Sequence, residues 1–447
     1  MLLHSVQQGQ MRSPRRTGIA AHLKTTTAAT LARCKGAIES GCECSVANRH
    51  ECLVTWLPMN HRSGRHFLQV PGPTNIPDRI LRAMGRPAID HRGPEFAVVT
   101  RRVLEGLHLV LGGAERVFIF PSSGSGGWEA ALVNTLSPGE DVLLLDNGFF
   151  AAGWGEVAAR LGLRVETAKQ HWRHPIDPAW LEQRLRADTA SAIVAVLVVH
   201  NETSTGVTND IASLRKAIDL ADHPALFMVD AVSSLASIDY RQDDWGIDVV
   251  VAGSQKGLML PPGLGFNAVS TKALHAHSRA TLPRSYWDWT IMESSNRDGF
   301  FPYTPATSLL YGLDEALQML VEEGLPAVFA RHERLAEATR AAVAGWGLDN
   351  YCLDPTGYSA AVTAVLVPEE VDADVLREKI LERFNLSLGA GLGQIKGRVF
   401  RIGHLGDMND LMLAGALCGL EMGLAAMGLR GRGGVAGALA SLLGKGL

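Results

Sequence analysis

The chain has 447 residues, of which 47% are hydrophobic and 20% are charged, and its formal net charge is -4. A chain of this length and composition can bury a sizeable core and build more than one domain of an ordinary globular protein. Since there is no basic excess, nucleic acid and membranes are disfavoured as partners, and a small-molecule ligand is the better default.

Residues 1–58 differ in composition from the rest of the chain. They contain seven Lys or Arg against three Glu and four of the six cysteines, without sustained helix or strand periodicity. We expect them to be disordered. They could be a transit peptide, a small metal site at Cys42, Cys44 and Cys52, or a segment without function upstream of a natural start at Met59. We favour the last interpretation.

Beyond this segment the cysteines are sparse. Cys352 and Cys418 are isolated from each other in the sequence, so the globular part does not resemble a disulfide-built fold. This usage fits a reducing compartment, and we expect a cytoplasmic protein without a bound metal.

From Val117 onwards, short apolar runs rich in β-branched residues alternate with stretches of helical periodicity. The runs are RVFIF, DVLLLD, LRVETA, AIVAVLVVH, ALFMVD, IDVVVAG and GFNAVS, and the helical stretches include GGWEAALVNTL and NDIASLRKAIDLADH. Strands buried on both faces that alternate with helices predict an α/β fold with a doubly wound, mainly parallel sheet. Ligands bind such sheets beyond the carboxyl ends of the strands.

The later part of the chain predicts a smaller α+β domain. Its apolar run from Leu411 to Leu429 is interrupted by Glu421 and several Gly, which favours a helix with one buried face over a membrane span. The predicted organisation is an N-terminal extension (1–58), an arm with a pocket loop (59–78), a large domain (79–320), a small C-terminal domain (321–430) and a flexible, fraying tail (431–447).

The first informative loop is FPSSGSGGWEAAL, in which a Ser/Gly turn precedes a helix predicted to begin near Gly127. Backbone N–H groups, hydroxyls and the positive end of a helix dipole suit a phosphate group, whereas a capped glycine turn is the structural alternative. The loop matches neither the Walker pattern nor the dinucleotide-binding glycine pattern, which disfavours a nucleotide-binding protein.

Three further strand ends carry informative residues. Phe149 and Phe150 could stack on a flat heterocycle or simply pack. Asp230 ends an apolar run, where a carboxylate needs a positive partner or a capping role. Lys256 follows VVVAGSQ and is either a buried amine nucleophile or an ion-paired residue. Together with the Ser/Gly turn, they indicate pyridoxal phosphate, with Lys256 holding its aldehyde as a Schiff base and Asp230 keeping the pyridine nitrogen protonated.

The sequence resembles the class V aminotransferases of fold type I from about Phe67 to Leu429, and within them the serine–glyoxylate subgroup. The matching segments are VPGPTNIPDRILRAM, IDHRGPEF, SGSGGWEAALVNTLSPGEDVL, HNETSTGV, VDAVSSLAS, GSQKGLMLPPGLGF, PYTP and NLSLGAGLGQIKGRVFRIGHLG. In order and at family-like spacing, they are specific for the superfamily.

The resemblance implies how the cofactor pyridoxal 5'-phosphate is bound. Lys256 would be the Schiff-base lysine and Asp230 the partner of the pyridinium. The other implied cofactor ligands are Gln255 at the phosphate or ring oxygen, Ser123, Gly124 and Ser125 at the phosphate, Phe150 on the ring, Thr203 near the phenolic oxygen, and Tyr303 and Thr304 from the other subunit of a homodimer.

The resemblance also implies how the substrate is held. Arg401 matches the arginine that binds the α-carboxylate, and Gly72, Pro73 and Thr74 match a loop that lines the pocket. Some relatives have His where this chain has Ser125, and some have Tyr where it has Phe301. These departures point away from the animal alanine–glyoxylate enzymes and leave the chemistry intact.

The activity implied is transfer of the amino group of L-serine to glyoxylate, giving hydroxypyruvate and glycine. The alternatives are an alanine–glyoxylate transaminase, or a broader enzyme that accepts serine, alanine or asparagine. Dehydratase or desulfurase chemistry fits less well, because neither Cys352 nor Cys418 lies in a recognisable reactive motif. A catalytically silent binding or scaffold protein is disfavoured by the intact Lys256, Asp230 and Arg401.

Overall fold

The computed structural model describes residues 63–429 and 433–444. The expectations for residues 1–58, including the metal-site alternative at Cys42, Cys44 and Cys52, lie outside the described residues. The description below concerns one compact unit, Gly64–Leu447.

The first part of the chain alternates between strands and helices. In chain order the elements are β1 (Phe67–Gln69), α1 (Asp78–Met84), α2 (Pro94–Leu111), β2 (Arg116–Ser122), α3 (Gly124–Thr135), β3 (Asp141–Asp146), α4 (Phe149–Arg160), β4 (Arg164–Lys169), α5 (Pro178–Ala187), β5 (Ile193–Val199), β6 (Asn201–Glu202), β7 (Val207–Thr208), α6 (Ile211–Leu220), β8 (Leu226–Asp230), β9 (Val249–Gly253), β10 (Gly263–Val269), α7 (Thr271–His277) and α8 (Trp289–Arg297).

The second part is richer in helices. Its elements are α9 (Thr307–Glu323), α10 (Leu325–Gly345), β11 (Asp349–Asn350), a short 3-10 helix (Pro355–Gly357), β12 (Val362–Leu366), α11 (Ala373–Phe384), β13 (Leu386–Ala390), a second 3-10 helix (Gly393–Ile395), β14 (Val399–Gly403), α12 (Asp410–Ala426) and α13 (Gly434–Gly444).

The larger sheet confirms the predicted α/β fold. All the predicted apolar runs form strands of one 7-stranded sheet, in the order β2-β10-β9-β8-β5-β3-β4. The neighbours from β9 to β4 are parallel, and β10 is antiparallel to both β2 and β9. Every residue of β8 and β9 is buried. Such strands need a cover on both faces, which explains their continuous apolar sequence.

The direction of the strands places their informative ends at one edge of this sheet. Since two antiparallel steps separate β2 from β9, β2 runs the same way as the parallel strands. The loops that follow β2, β3, β5, β8 and β9 therefore leave from the same edge. Asp230 is the last residue of β8 and pairs with Val251 of β9, and Lys256 follows β9 by one turn.

A second, 5-stranded sheet has the order β1-β13-β14-β12-β11. Its strand β14 carries Arg401, and β1 joins it by parallel pairing with β13, where Leu68 lies opposite Ser387. The N-terminal arm is thus built into the C-terminal sheet. Because both sheets lie in one compact unit, the boundary near residue 320 stays a prediction.

The C-terminal segment differs from the expected fraying tail. Residues Gly434–Gly444 form helix α13, whose Ala438 and Leu442 lie on one face and are buried in a cluster with residues of α10 and α12. The backbone N–H of Val435 donates to Glu421 Oε2 at 2.8 Å. The Gly-rich composition suggested weak structure, but burial of this apolar face holds the helix.

The long apolar run forms α12, as expected. Its buried residues recur at helical spacing on one face, from Leu413 through Leu417 and Leu420 to Leu424, whereas Leu411 is exposed. In the described ranges, no helix combines the length and the apolar character that a membrane crossing requires.

Candidate active site

Lys256 is a buried amine at the carboxyl edge of the large sheet. Only 8% of the residue is exposed, and its Nζ donates a hydrogen bond to the backbone oxygen of Pro71. The pKa of Lys256 falls from 10.5 to about 8: burial is the largest cause, the positive charge of Arg401 also lowers it, and the negative charge of Asp230 opposes the fall. The amine is therefore available as a nucleophile or proton acceptor much nearer to neutral pH than an ordinary lysine.

The loop of Gly72, Pro73 and Thr74 closes onto this lysine. Thr74 donates its hydroxyl to the backbone oxygen of Lys256 at 3.1 Å, and its N–H to the backbone oxygen of Gln255 at 3.2 Å. Gly72 has φ +99, and a Cβ atom at this position would collide with the side chain of Lys256. Only glycine combines this left-handed backbone with such a close approach. The structure thus brings the predicted pocket loop to the lysine.

Asp230 is a buried carboxylate held from two sides. Its Oδ1 accepts the backbone N–H of Val232 at 2.7 Å, and its Oδ2 accepts the indole N–H of Trp128 at 2.7 Å. The pKa of Asp230 rises from 3.8 to about 7, mainly because the group is buried; the charge of Glu202 adds to this rise, whereas the two hydrogen bonds and the charge of Lys256 oppose it. A positively charged ligand atom beside Asp230 would stabilise its ionised form.

The Ser/Gly turn forms the beginning of α3. The helix begins at Gly124, earlier than the predicted start near Gly127, and the side chain of Ser123 at the N-cap makes no capping hydrogen bond. Ser125 in the first turn is exposed. A Cβ atom on Gly124 would lie 2.6 Å from Val232 Cγ2, so the turn packs against the loop that follows Asp230. The free N–H groups at this helix N-terminus, which has no side-chain cap, suit an anion such as phosphate.

Gln255 supplies an orphan polar atom. Its Oε1 is buried and has no hydrogen-bond partner among the described residues, and it lies 3.0 Å from the position of a Cβ atom on Gly253 at the end of β9. Buried polar atoms normally have partners. A ligand hydroxyl or N–H beside the Ser/Gly turn would satisfy this oxygen.

Phe150 lies at the start of α4, and a buried carboxylate fixes the turn that carries it. Glu202 accepts the backbone N–H groups of Phe150 at 3.1 Å and Ala151 at 3.0 Å, and Ser204 Oγ accepts that of Phe149 at 3.1 Å. Phe149 is 42% exposed, whereas Phe150 is half-buried against the core. Of the two rings, Phe150 is therefore the one directed inward.

Thr203 links Arg401 to the loop after Asp230. Its hydroxyl donates to Ser233 Oγ at 2.7 Å, and its backbone oxygen accepts a guanidinium N–H of Arg401 at 2.9 Å. Arg401 also donates its Nε–H to the backbone oxygen of Ala390 at 2.7 Å. The structure thus brings the predicted substrate arginine, on β14, beside residues of the large sheet.

The guanidinium of Arg401 is held by neutral carbonyl oxygens. The residue is 7% exposed, and burial lowers its pKa to about 10, whereas the charge of Glu202 raises it. A buried cation hydrogen-bonded to neutral acceptors favours an incoming anion, and a carboxylate matches the planar fork of Arg.

Tyr303 and Thr304 stand apart from this cluster. Tyr303 donates its hydroxyl to the backbone oxygen of Ser285 at 2.9 Å and stacks on Tyr286 with ring centroids 4.5 Å apart. Thr304 is exposed. Within the described residues neither side chain hydrogen-bonds to Lys256 or Asp230. A contribution from these residues to a second subunit stays a prediction.

Sequence reasoning missed two members of the cluster, Trp128 and Glu202. Both side chains are buried, and they hold Asp230 and the Phe150 turn respectively. Glu202 closely follows the apolar strand β5, so the criterion that selected Asp230 could have found it. No local signal marks Trp128, because its contact with Asp230 joins residues far apart in the sequence.

The comparisons with known proteins agree with this geometry. A family model described as aminotransferase class-V matches residues 66–391. The chain is 50% identical over 375 residues to the serine–glyoxylate aminotransferase of Methylorubrum extorquens, across 83% of this chain and 93% of that protein. It is 45% identical over 361 residues to the L-aspartate–glyoxylate aminotransferase of Paracoccus denitrificans, across 80% and 91%.

Solved structures show the same fold. The crystal structure of pyridoxamine–pyruvate aminotransferase from Mesorhizobium loti superposes with a TM-score of 0.80 at 29% identity, covering 86% of this chain and 99% of that one. The chain therefore belongs to the class V aminotransferases. It is an aminotransferase of fold type I and depends on pyridoxal phosphate, as this class does.

Proposed function

We propose that this enzyme transfers the amino group of L-serine to glyoxylate and releases hydroxypyruvate and glycine. The observation that carries the proposal is the placement of a buried amine, Lys256, close enough to Asp230 and Arg401 for their charges to affect its pKa. The name of the relative that is 50% identical over 375 residues supports the choice of substrates.

The residues of this site fit the cofactor. Lys256 would bind its aldehyde carbon, Asp230 its pyridine nitrogen, Phe150 its ring face and Thr203 its phenolic oxygen. The phosphate would take the Ser/Gly turn of Ser123, Gly124 and Ser125, with Gln255 beside it. When bound, pyridoxal phosphate carries the amino group and stabilises negative charge at the substrate Cα.

Lys256 also has the properties of the proton carrier. The Lys256 amine would accept the proton of the substrate Cα. With a pKa of about 8, it can accept and return a proton near neutral pH. The loop of Gly72, Pro73 and Thr74 covers this amine and limits the access of water.

Arg401 orients the amino acid. Its guanidinium would bind the α-carboxylate through paired N–H groups, while the carbonyl oxygens of Ala390 and Thr203 hold the side chain in place. This arrangement presents Cα to Lys256. The same contact serves the carboxylate of glyoxylate in the second half of the cycle.

A broader amino-donor range is the second candidate. A relative that is 45% identical over 361 residues is named an L-aspartate–glyoxylate aminotransferase, which extends the alternatives of alanine and asparagine. A desulfurase is disfavoured because burial raises the pKa of the Cys352 thiol to about 11, which disfavours its thiolate, and because Cys418 lies in no recognisable reactive motif.

We also propose a homodimer in which Tyr303 and Thr304 reach the phosphate site of the other subunit, and a cytoplasmic location. The first proposal is supported by the exposure of Thr304 and by the hydrogen bond of Tyr303, which goes to the backbone oxygen of Ser285 and not to Lys256 or Asp230. Sedimentation of the holoenzyme tests the dimer, and cell fractionation tests the location.

Initial rates with serine, alanine, asparagine and aspartate against glyoxylate test the proposed substrates. We expect the largest kcat/KM with serine. Lys256→Ala should abolish turnover and the borohydride-sensitive absorbance of the bound cofactor, whereas Lys216→Ala, which removes an exposed lysine on α6, should change neither. Full turnover by Lys256→Ala would reject the role of this lysine. A larger kcat/KM with another amino acid would reject serine as the main donor.

A further inference from the structure

We propose that Trp128 is a positioning residue: its indole N–H holds the carboxylate of Asp230 in the orientation that retains the proton on the cofactor's ring nitrogen. This inference rests on the proposed role of Asp230. Trp128 lies on α3 and is not among the predicted cofactor ligands. The inference adds it to the residues that control the protonation of the cofactor.

The first support is the geometry of the carboxylate. Trp128 Nε1 donates to Asp230 Oδ2 at 2.7 Å, and the N–H of Val232 donates to Oδ1 at 2.7 Å. The donors come from different elements and take different oxygens, so together they fix the plane of the group. Each carboxylate oxygen keeps a further lone pair, which leaves room for a ring N–H.

The second support is the electrostatic setting of Asp230. Burial and the charge of Glu202 raise its pKa, whereas Val232, Trp128 and the charge of Lys256 lower it. The resulting pKa is about 7. At neutral pH, the loss of a single hydrogen-bond donor therefore changes the fraction of Asp230 that is ionised. A charge-assisted hydrogen bond from the indole therefore favours the ionised acid.

The third support is how the indole is held. Trp128 stacks on Trp154 with ring centroids 6.1 Å apart and an interplanar angle of 14°. Both are buried, with 6% of Trp128 and 0% of Trp154 exposed. The indole N–H of Trp154, however, has no hydrogen-bond partner in the described part of the chain. Both residues are buried tryptophans in the same stacked pair. They differ in that only the indole N–H of Trp128 bonds to Asp230.

This difference supplies a matched pair of variants. Trp128→Phe removes the N–H that bonds to Asp230, and Trp154→Phe removes an N–H to which no described residue is hydrogen-bonded. We expect Trp128→Phe to weaken binding of pyridoxal phosphate to the apoprotein about tenfold, the effect of losing one hydrogen bond to a charged group. We expect Trp154→Phe to bind the cofactor within about twofold of wild type.

The pH dependence of the bound cofactor provides a second readout. A ring nitrogen that loses its proton no longer lowers the pKa of the nitrogen that joins the cofactor to Lys256. The pH midpoint of the visible absorbance should therefore move upward in Trp128→Phe and stay in place in Trp154→Phe. Equal losses in both variants would mean that Trp128 acts through packing, and no change in Trp128→Phe would overturn the inference.

A measurement on the wild-type apoprotein covers the case in which Trp128→Phe does not fold. With ¹⁵N-labelled tryptophan, one indole N–H resonance should shift with pH as Asp230 ionises, and the shift should be absent in Asp230→Asn. An indole spectrum that does not respond to pH would reject the inference. If Trp128→Phe and Trp154→Phe differ in cofactor binding and absorbance as expected, but the wild type does not convert serine and glyoxylate, only the proposed substrates would be rejected.

Discussion

Replacing Lys256 with Met should stabilise the apoprotein at neutral pH, because the folded protein holds this amine where its charge is unfavourable. The pKa falls from 10.5 to about 8 on burial. At about 1.4 kcal/mol for each pH unit, the native state is destabilised by about 3 kcal/mol near pH 7. Met has a similar shape and carries no charge, so Lys256→Met removes this cost.

The sign of the pH dependence follows from the lowered pKa. Above the pKa of the unfolded state the Lys256 amine is neutral in both states and does not destabilise the folded protein. As the pH falls towards the folded pKa, the unfolded chain binds the proton more readily, and the free energy of unfolding decreases. Relative to Lys256→Met, the wild type should therefore gain about 2 kcal/mol between pH 7 and pH 10, most of the total.

The assay is urea unfolding of both cofactor-free proteins at the two pH values and at equal protein concentration. At each pH the unfolding free energy of Lys256→Met is subtracted from that of the wild type, and the two differences are then compared. Effects that the two proteins share cancel in this comparison. A difference that is the same at both pH values would show that the amine of Lys256 titrates like an exposed lysine. That result would refute the reasoning.

Three further perturbations test other parts of the site. Arg401→Lys replaces a planar fork with a point charge, and kinetics should show a KM for serine raised at least about tenfold with cofactor affinity unchanged; an unchanged KM would contradict its role. Gly72→Ala should lower cofactor binding and destabilise the protein by at least about 1 kcal/mol in urea unfolding. The loss should exceed that of Gly162→Ala, where φ is +84 but an added Cβ would meet no atom of another described residue within 4 Å, its chain neighbours aside. Glu202→Gln should lower the apoprotein's stability by about 1–3 kcal/mol in the same assay, because a single amide oxygen cannot accept all the donors that the carboxylate holds; unchanged stability would contradict this.

Much of the fold could be predicted because its signals are local. The strands of the large sheet are covered on both faces, so each is a continuous apolar run bounded by polar residues, and β8 and β9 are buried throughout. The parallel direction of these strands then places Asp230 and Lys256 at one edge without further information.

The features that sequence analysis missed depend on contacts between distant segments. The pairing of β1 with β13 joins Leu68 to Ser387, and the packing of α13 depends on α10 and α12. Helix α3 begins at Gly124, before its apolar periodicity, and this glycine packs closely against Val232, which is distant in the sequence. Local propensity carries no information on such contacts.

The candidate site shows the same division. Lys256, Asp230 and Arg401 could be chosen from strand ends and family segments, and the structure brings them together. Trp128 could not be chosen, because its indole meets Asp230 across 102 sequence positions. The roles of all these residues stay predictions until variants are measured.

The most direct test of the central claim is the fate of the nitrogen of ¹⁵N-labelled L-serine in the presence of the holoenzyme and glyoxylate. The proposed function predicts ¹⁵N-glycine and hydroxypyruvate in equal amounts, with none formed by Lys256→Ala. Release of the label as ammonia together with pyruvate, or failure of glyoxylate to receive it, would contradict the claim.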